Sequence, residues 1–201
     1  MITGVLTLFL AEVILKSDVL SKFQKEEVIK RVQRPQITEL LLTPNPYSRP
    51  QKKLSKVNAV VIHYVAKPGS TAKENRNYFE GLKDTHETYA SSNFIVGLEG
   101  EIIQCVPLDE VAYCSNERND DSISIECCHF KKSGKFNQKT YRSLVQLTAW
   151  LCGKYQLTAE NIIRHYDITG KNCPKYYVEH EKEWEKFKLD VEQYIYQNGI
   201  E

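Results

Sequence analysis

The sequence carries no excess charge of either sign. Lysine and arginine number 27, aspartate and glutamate 26. There is thus no basic stripe of the kind that tracks nucleic acid, and no acidic tail; no nucleic-acid partner is expected. No internal repeat or low-complexity tract is present. The six cysteines contain no Cys-x-x-Cys pair, the usual mark of a closed structural zinc site. Nor do they make a disulfide framework, because a chain of 201 residues with 41% hydrophobic content can bury a core without staples. Most of the six read as small buried apolar residues. Cys127 and Cys128 are neighbours and in a strand would point to opposite faces.

A long apolar run is also missing. "ITGVLTLFLAEVIL" near the start is apolar except for Thr3, Thr7 and Glu12. It is short for a membrane span and lacks the positive flank of a signal peptide. Three readings stay open: a helix packing on another element, a degenerate membrane anchor or export signal, or a start-codon artefact. Residues 16–35 are charged and expected to be helical or frayed. Residues 1–39 are therefore set apart as an N-terminal helical segment, and residues 40–201 as a single domain. "TPNPYSRPQKKLSK" (43–56), with three prolines, reads as a linker or a wrapping arm.

What is there alternates between strands and helices. "VNAVVIHYV" (57–65) is a near-continuous β-branched run, as in a strand buried on both faces. Thr71 and Glu74 form a capping-box pattern that opens a helix. "SNFIVGLEGEIIQCVP" (92–107) reads as a hairpin turning at "GLEGE". "SISIECC" (122–128) is a further strand. Tyr141, Leu144, Val145, Thr148, Leu151, Cys152 and Tyr155 recur at helical spacing. "NIIRH" (161–165) is a short strand leading into the loop "RHYDITGKNCP". Trp184, Phe187, Val191 and Tyr194 mark a last helix ending near Gly199. The pattern predicts an α/β domain with a mixed central sheet flanked by helices.

Chemistry-bearing residues gather at the strand ends. His63 closes the apolar run at 57–65. On its own it reads more readily as a hydrogen-bonded core residue than as a ligand. His165 and Cys173 change the balance, since two histidines and a cysteine make the three-ligand set of a catalytic zinc with a fourth position open. Glu126, in a strand of mostly apolar residues, needs either a partner or a task. Two readings of it are open: a solvent-facing residue on an edge strand, or a general base. Lys171, two residues before Cys173, is either a solvated surface lysine or a cation held near a developing oxyanion.

The pieces "AVVIHY", "SSNFIVGLEGEIIQCVPLDEVAY", "SISIECC" and "RHYDITGKNCP", in this order, give residues 55–180 a resemblance to the zinc-dependent N-acetylmuramoyl-L-alanine amidases of the type-2 family. That family includes phage amidase lysozymes and bacterial autolysins, and peptidoglycan recognition proteins share its fold. The resemblance implies Zn2+ held by His63, His165 and Cys173, with Glu126 as acid/base and Lys171 polarising the tetrahedral intermediate. It implies hydrolysis of the amide between N-acetylmuramic acid and L-alanine in peptidoglycan or a muropeptide. Tyr89, Asn93, Asn116 and Arg118 are candidate substrate-lining residues, each with a plain loop reading beside it. The chain departs from the family at Ser92, where some relatives carry a catalytic tyrosine, and at Tyr113-Cys114-Ser115-Asn116, where others read Trp-His-Ala-Gly. The competing reading is a non-catalytic peptidoglycan-binding module, which in this fold typically lacks a metal ligand. The implied place of action is the bacterial cell wall or another extracytoplasmic site, with membrane anchoring through the N-terminus, or else release as a phage endolysin. No oligomeric state is implied.

Overall fold

A computed structural model describes residues 28–200. Six strands form one sheet in the order β1-β4-β3-β5-β2-β6. They are β1 (Thr38–Glu39), β2 (Ala59–Tyr64), β3 (Phe94–Val96), β4 (Ile102–Gln104), β5 (Ser122–Cys127) and β6 (Ile162–Arg164). The β3–β4 hairpin is antiparallel and every other pairing is parallel, so the sheet is mixed, as the sequence pattern predicts. Among the described residues, five α-helices accompany it: α1 (Ala72–Thr85), α2 (Gln138–Tyr155), α3 (His165–Thr169), α4 (Lys175–Glu179) and α5 (Glu181–Asn198).

Strand alternation sorts the side chains. Val60 and Ile62 of β2, Phe94 and Val96 of β3, and Ile123, Ile125 and Cys127 of β5 share one apolar cluster with Leu144 and Leu151 of α2 and Phe187 and Val191 of α5. The intervening residues face the other way. There Ile95 and Ile103 meet Phe79 and Leu82 of α1. Cys127 and Cys128 fall in different clusters, and all six cysteines are free thiols. The capping box of α1 is formed in both directions. Thr71 Oγ1 accepts from Glu74 N at 3.2 Å, and the Glu74 carboxylate accepts from Thr71 N at 2.7 Å.

The segment ahead of the expected domain start differs from its sequence reading. Residues 28–35 hold no helix. Arg31 bridges to Ile200, Val32 is buried in the α2/α5 cluster, and β1 pairs with β4. The reason lies in α2: at Gly153 an added Cβ would stand 2.7 Å from the Lys30 carbonyl oxygen, so glycine lets the chain cross close to the helix. The helix expected over 16–27 and the anchor or signal reading fall outside the described residues. Among those residues, no helix is long and apolar enough to cross a membrane. The proline-rich stretch is a wrapping arm. Leu54 is buried, and Arg49 makes a two-pronged ion pair with Glu110 at 2.7 and 2.8 Å.

Candidate functional site

β5 and β2 lie side by side in the middle of the sheet, with His63 paired in register to Glu126. Both sit on the face turned away from α2 and α5. That removes the edge-strand reading of Glu126, because β5 has β3 on one side and β2 on the other. β6 flanks β2 and ends at Arg164, so α3 begins with His165 beside the end of β2. The expected loop "RHYDITGKNCP" is in part this short helix. Asp167 accepts from Arg164 N at 2.8 Å to start it, and Gly170, at φ +75°, ends it. The chain then folds back, with Tyr166 N donating to Cys173 O at 2.9 Å.

The result is a tight convergence. One donor atom each from His63, His165 and Cys173 lies within 4.8 Å of the other two. Cys173 Sγ stands 3.8 Å from His63 Nδ1, and the imidazole centroids are 4.7 Å apart. His63 Nε2 is 3.1 Å from Ser115 Oγ, and His165 Nε2 is 2.8 Å from Asn116 Oδ1. The Asn116 oxygen can only accept, so it sets the His165 proton on Nε2 and leaves a lone pair on Nδ1. That Nδ1 is buried and has no hydrogen-bond partner. An orphaned ring nitrogen, a second imidazole and a thiol aimed at one point fit a borderline-soft metal such as zinc, and outer partners on the far ring nitrogens are the usual companions of metal-bound histidines.

Burial governs the protonation of the group. It pushes both imidazoles below the usual histidine range, His63 strongly, and each feels the nearby Lys171 cation; His63 also feels His165. Both rings are therefore neutral at pH 7, the state in which they can ligate. Burial raises the Cys173 thiol to about 12. It raises the Glu126 carboxyl to about 7, against smaller downward pulls from Cys114 and Lys171. Cys114 Sγ approaches Glu126 Oε1 at 3.7 Å, while the other carboxylate oxygen, Oε2, is buried and has no hydrogen-bond partner.

These groups line a cleft of about 390 Å³ that also holds Tyr64, Phe79, Tyr89, Tyr113 and Lys171. Lys171 is solvent-exposed at its edge. Of the four expected lining residues, Tyr89 and Asn116 border the cleft. Asn116 is chiefly tied to His165. Asn93 lies elsewhere: it is fully buried, its Oδ1 accepts from Ser124 N and Oγ, and its amide reaches Pro107 O. It stitches strands together. Arg118 is paired with Asp121 at 2.7 Å and is not part of the lining. Ser92 is buried, donating to Phe94 O. Sequence reasoning missed Ser115, Cys114 and Asn119, whose Oδ1 accepts from both Cys114 N and Ser115 N. "YCSNERN" has no periodicity, and nothing in it signals two histidine partners.

Residues 53–176 match the N-acetylmuramoyl-L-alanine amidase family. The chain is 34% identical over 160 residues to a probable N-acetylmuramoyl-L-alanine amidase of Bacillus licheniformis, covering 74% of this chain and 45% of that protein. It is 34% identical over 175 residues to N-acetylmuramoyl-L-alanine amidase BlyA of Bacillus subtilis, covering 77% and 46%. The chain thus spans less than half the length of these relatives. Among solved structures, PlyL superposes with a TM-score of 0.67 at 24% identity, over 78% of this chain and 97% of that one.

Proposed function

The chain belongs to the N-acetylmuramoyl-L-alanine amidase family, and from that premise we propose that it hydrolyses the amide joining N-acetylmuramic acid to L-alanine in peptidoglycan, with zinc as cofactor. The observation that carries this reading is the convergence of His63, His165 and Cys173 on one point with Glu126 in register beside His63. Zinc held by the two imidazoles and the thiolate would supply a Lewis acid and lower the pKa of a water bound to it from about 15.7 to about 7.

The remaining chemistry falls to the chain's own groups. Amide hydrolysis forms a bond from water oxygen to the carbonyl carbon, breaks the C–N bond and delivers a proton to the departing nitrogen. Glu126, buried in register beside His63, is placed both to take the water proton and to hand it to the alanine amine. Lys171, at the cleft edge, sets a cation toward the carbonyl oxygen as it gains charge. Asn116 and Ser115 keep the imidazoles aimed. Cys173, with its high thiol pKa, must release a proton when the metal binds, so zinc affinity rises with pH. The catalytic domain is taken to start near residue 40, with the preceding segment strapped across it, and its place of action to be the bacterial cell wall.

The test is a digest of purified peptidoglycan. Release of L-alanine amino termini without new reducing sugar ends is the expected result. Reducing ends without free alanine would mean a glycan-cutting enzyme and reject the assignment. Tight zinc binding with neither product would favour a non-catalytic wall-binding module.

A further inference from the structure

Two groups of three metal-ligating side chains come together among the described residues, and the proposed function uses one of them. The other is His63, Cys114 and Glu126, whose donor atoms also lie within 4.8 Å of one another. Cys114 Sγ stands 3.7 Å from Glu126 Oε1. A zinc ion bound at about 2.3 Å by sulfur and about 2.0 Å by a carboxylate oxygen, with tetrahedral angles, sets those two atoms about 3.5 Å apart. The pair is therefore spaced for one ion between them. Glu126 Oε2 is buried and has no hydrogen-bond partner, a costly state for an oxygen that carries charge when ionised.

Both donors are held in place. Glu126 is fixed by its strand, which lies between β3 and β2. Asn119 Oδ1 accepts from Cys114 N at 3.0 Å and from Ser115 N at 2.6 Å, which pins the loop carrying the thiol. Cys114 and Glu126 line the cleft, where an ion enters from solvent. The thiols of Cys105, Cys127, Cys128 and Cys152 belong instead to the two apolar clusters.

We propose that Cys114 and Glu126 form a second, inhibitory site for a thiophilic divalent cation of the zinc and cadmium class, next to the first. This rests on the reading of His63, His165 and Cys173 as ligands of the first ion and of Glu126 as the proton carrier. With His63 committed to the first ion, the second is held by the Cys114 sulfur, the Glu126 carboxylate and water. Fewer protein ligands make this the weaker site, filled when metal is in excess. On binding, the Cys114 S–H bond breaks, its proton leaves to solvent and a sulfur–metal bond forms; nothing is oxidised or reduced. The thiolate selects against hard cations such as magnesium and calcium, which prefer oxygen. The ion takes the carboxylate that would otherwise take the water proton, so its binding stops turnover.

The test titrates the metal-free full chain with zinc and with cadmium by equilibrium dialysis, following the ultraviolet charge-transfer band that each cadmium–thiolate bond adds. Wild type is expected to take up one ion tightly and a second more weakly, each step adding its own band. Cys114→Ser is expected to keep the first step, which shows that it is folded. It is expected to weaken the second at least about tenfold, since even an outer partner of a metal ligand is worth that much. Hydrolysis of a soluble muropeptide by wild type is expected to fall about a hundredfold as the second zinc binds, the lower end of what a general acid–base residue contributes. In Cys114→Ser the rates at one equivalent of zinc and in the same excess are expected to be equal. Uptake of a single ion by wild type, or a second step unchanged in Cys114→Ser, overturns the site. A second ion that binds through Cys114 without slowing hydrolysis overturns its inhibitory role. Two cadmium steps, the second lost in Cys114→Ser, in a protein that hydrolyses no wall substrate would support the cation site and reject the amidase reading.

Discussion

At the scale of single residues, the two histidines depend on a loop that makes no claim in the sequence. Asn116 adopts φ 51°, a conformation asparagine tolerates better than most residues, and so brings its side chain to His165 Nε2. Asn116→Ala is expected to weaken zinc affinity about 10- to 100-fold, the usual effect of losing an outer partner of a metal-bound histidine; competition with a chromophoric chelator measures it. Unchanged affinity would mean that His165 is held by packing alone. Glu126 offers a second check, in metal-free protein. Its folded value of about 7 lies above the ordinary 4.5, so the folded state holds this proton more tightly than the unfolded one. The penalty is absent below about pH 4.5, grows as pH rises to about 7 and is complete above it. Glu126→Gln is therefore expected to be more stable than wild type above pH 7, by at most about 3 kcal/mol, with the gain vanishing toward pH 4.5. Denaturant titrations at pH 5 and 8 give the comparison, and an equal difference at both would contradict the burial. His63, His165, Cys173, Glu126 and Lys171 were legible as candidates because their residue types are few and sit at strand ends or beside one another. Ser115 was not, and Asn116 was legible only as a candidate cleft-lining residue and not as the partner of His165, since a serine and an asparagine in an aperiodic loop give no sign of a histidine partner until the fold brings them 3.1 and 2.8 Å from imidazoles.

At the scale of elements, periodicity and caps carried most of the information. The β-branched run of β2, the alternation of β5 and the helical spacing of α2 each predict an element that the fold contains. The capping box at Thr71 does the same for α1, and Thr71→Ala is expected to cost about 1 kcal/mol, read from a denaturant midpoint. Short elements escaped: β1 has two residues, and α3 and α4 have five each, too few to show a period. Asn93 escaped for another reason. A buried asparagine that bridges strands and one that lines a cleft have the same sequence signature, and only its bonds to Ser124 and Pro107 distinguish them. Asn93→Ala leaves the Ser124 N–H and Oγ–H donors without their acceptor. It is expected to destabilise the fold by about 2 kcal/mol, more than a surface loop asparagine would.

At the scale of the whole molecule, the sheet order places the ends of β2, β5 and β6 together, and this makes three distant stretches of chain into one site. The order follows from which strands pair, and pairing between strands separated by helices leaves no mark in a single sequence. The strap formed by residues 31–39 was illegible for the same reason. A chain beginning at residue 40 loses buried Val32 and the β1 pairing. Compared with one beginning at residue 28, it is expected to be less stable by about 2 kcal/mol, a fall of about 4–8 °C in Tm. Equal melting temperatures would mean that the strap contributes nothing.

The central claim is that one site holds a zinc through Cys173 and moves a proton through Glu126. The most direct test measures zinc content and release of L-alanine-headed peptides from peptidoglycan together, in wild type, Cys173→Ala and Glu126→Gln. The expected result is one zinc per wild-type chain, retained in Glu126→Gln and lost in Cys173→Ala, with cleavage abolished or nearly so in both variants. Wild type that cleaves without zinc, or Glu126→Gln that cleaves at the wild-type rate, would contradict the account.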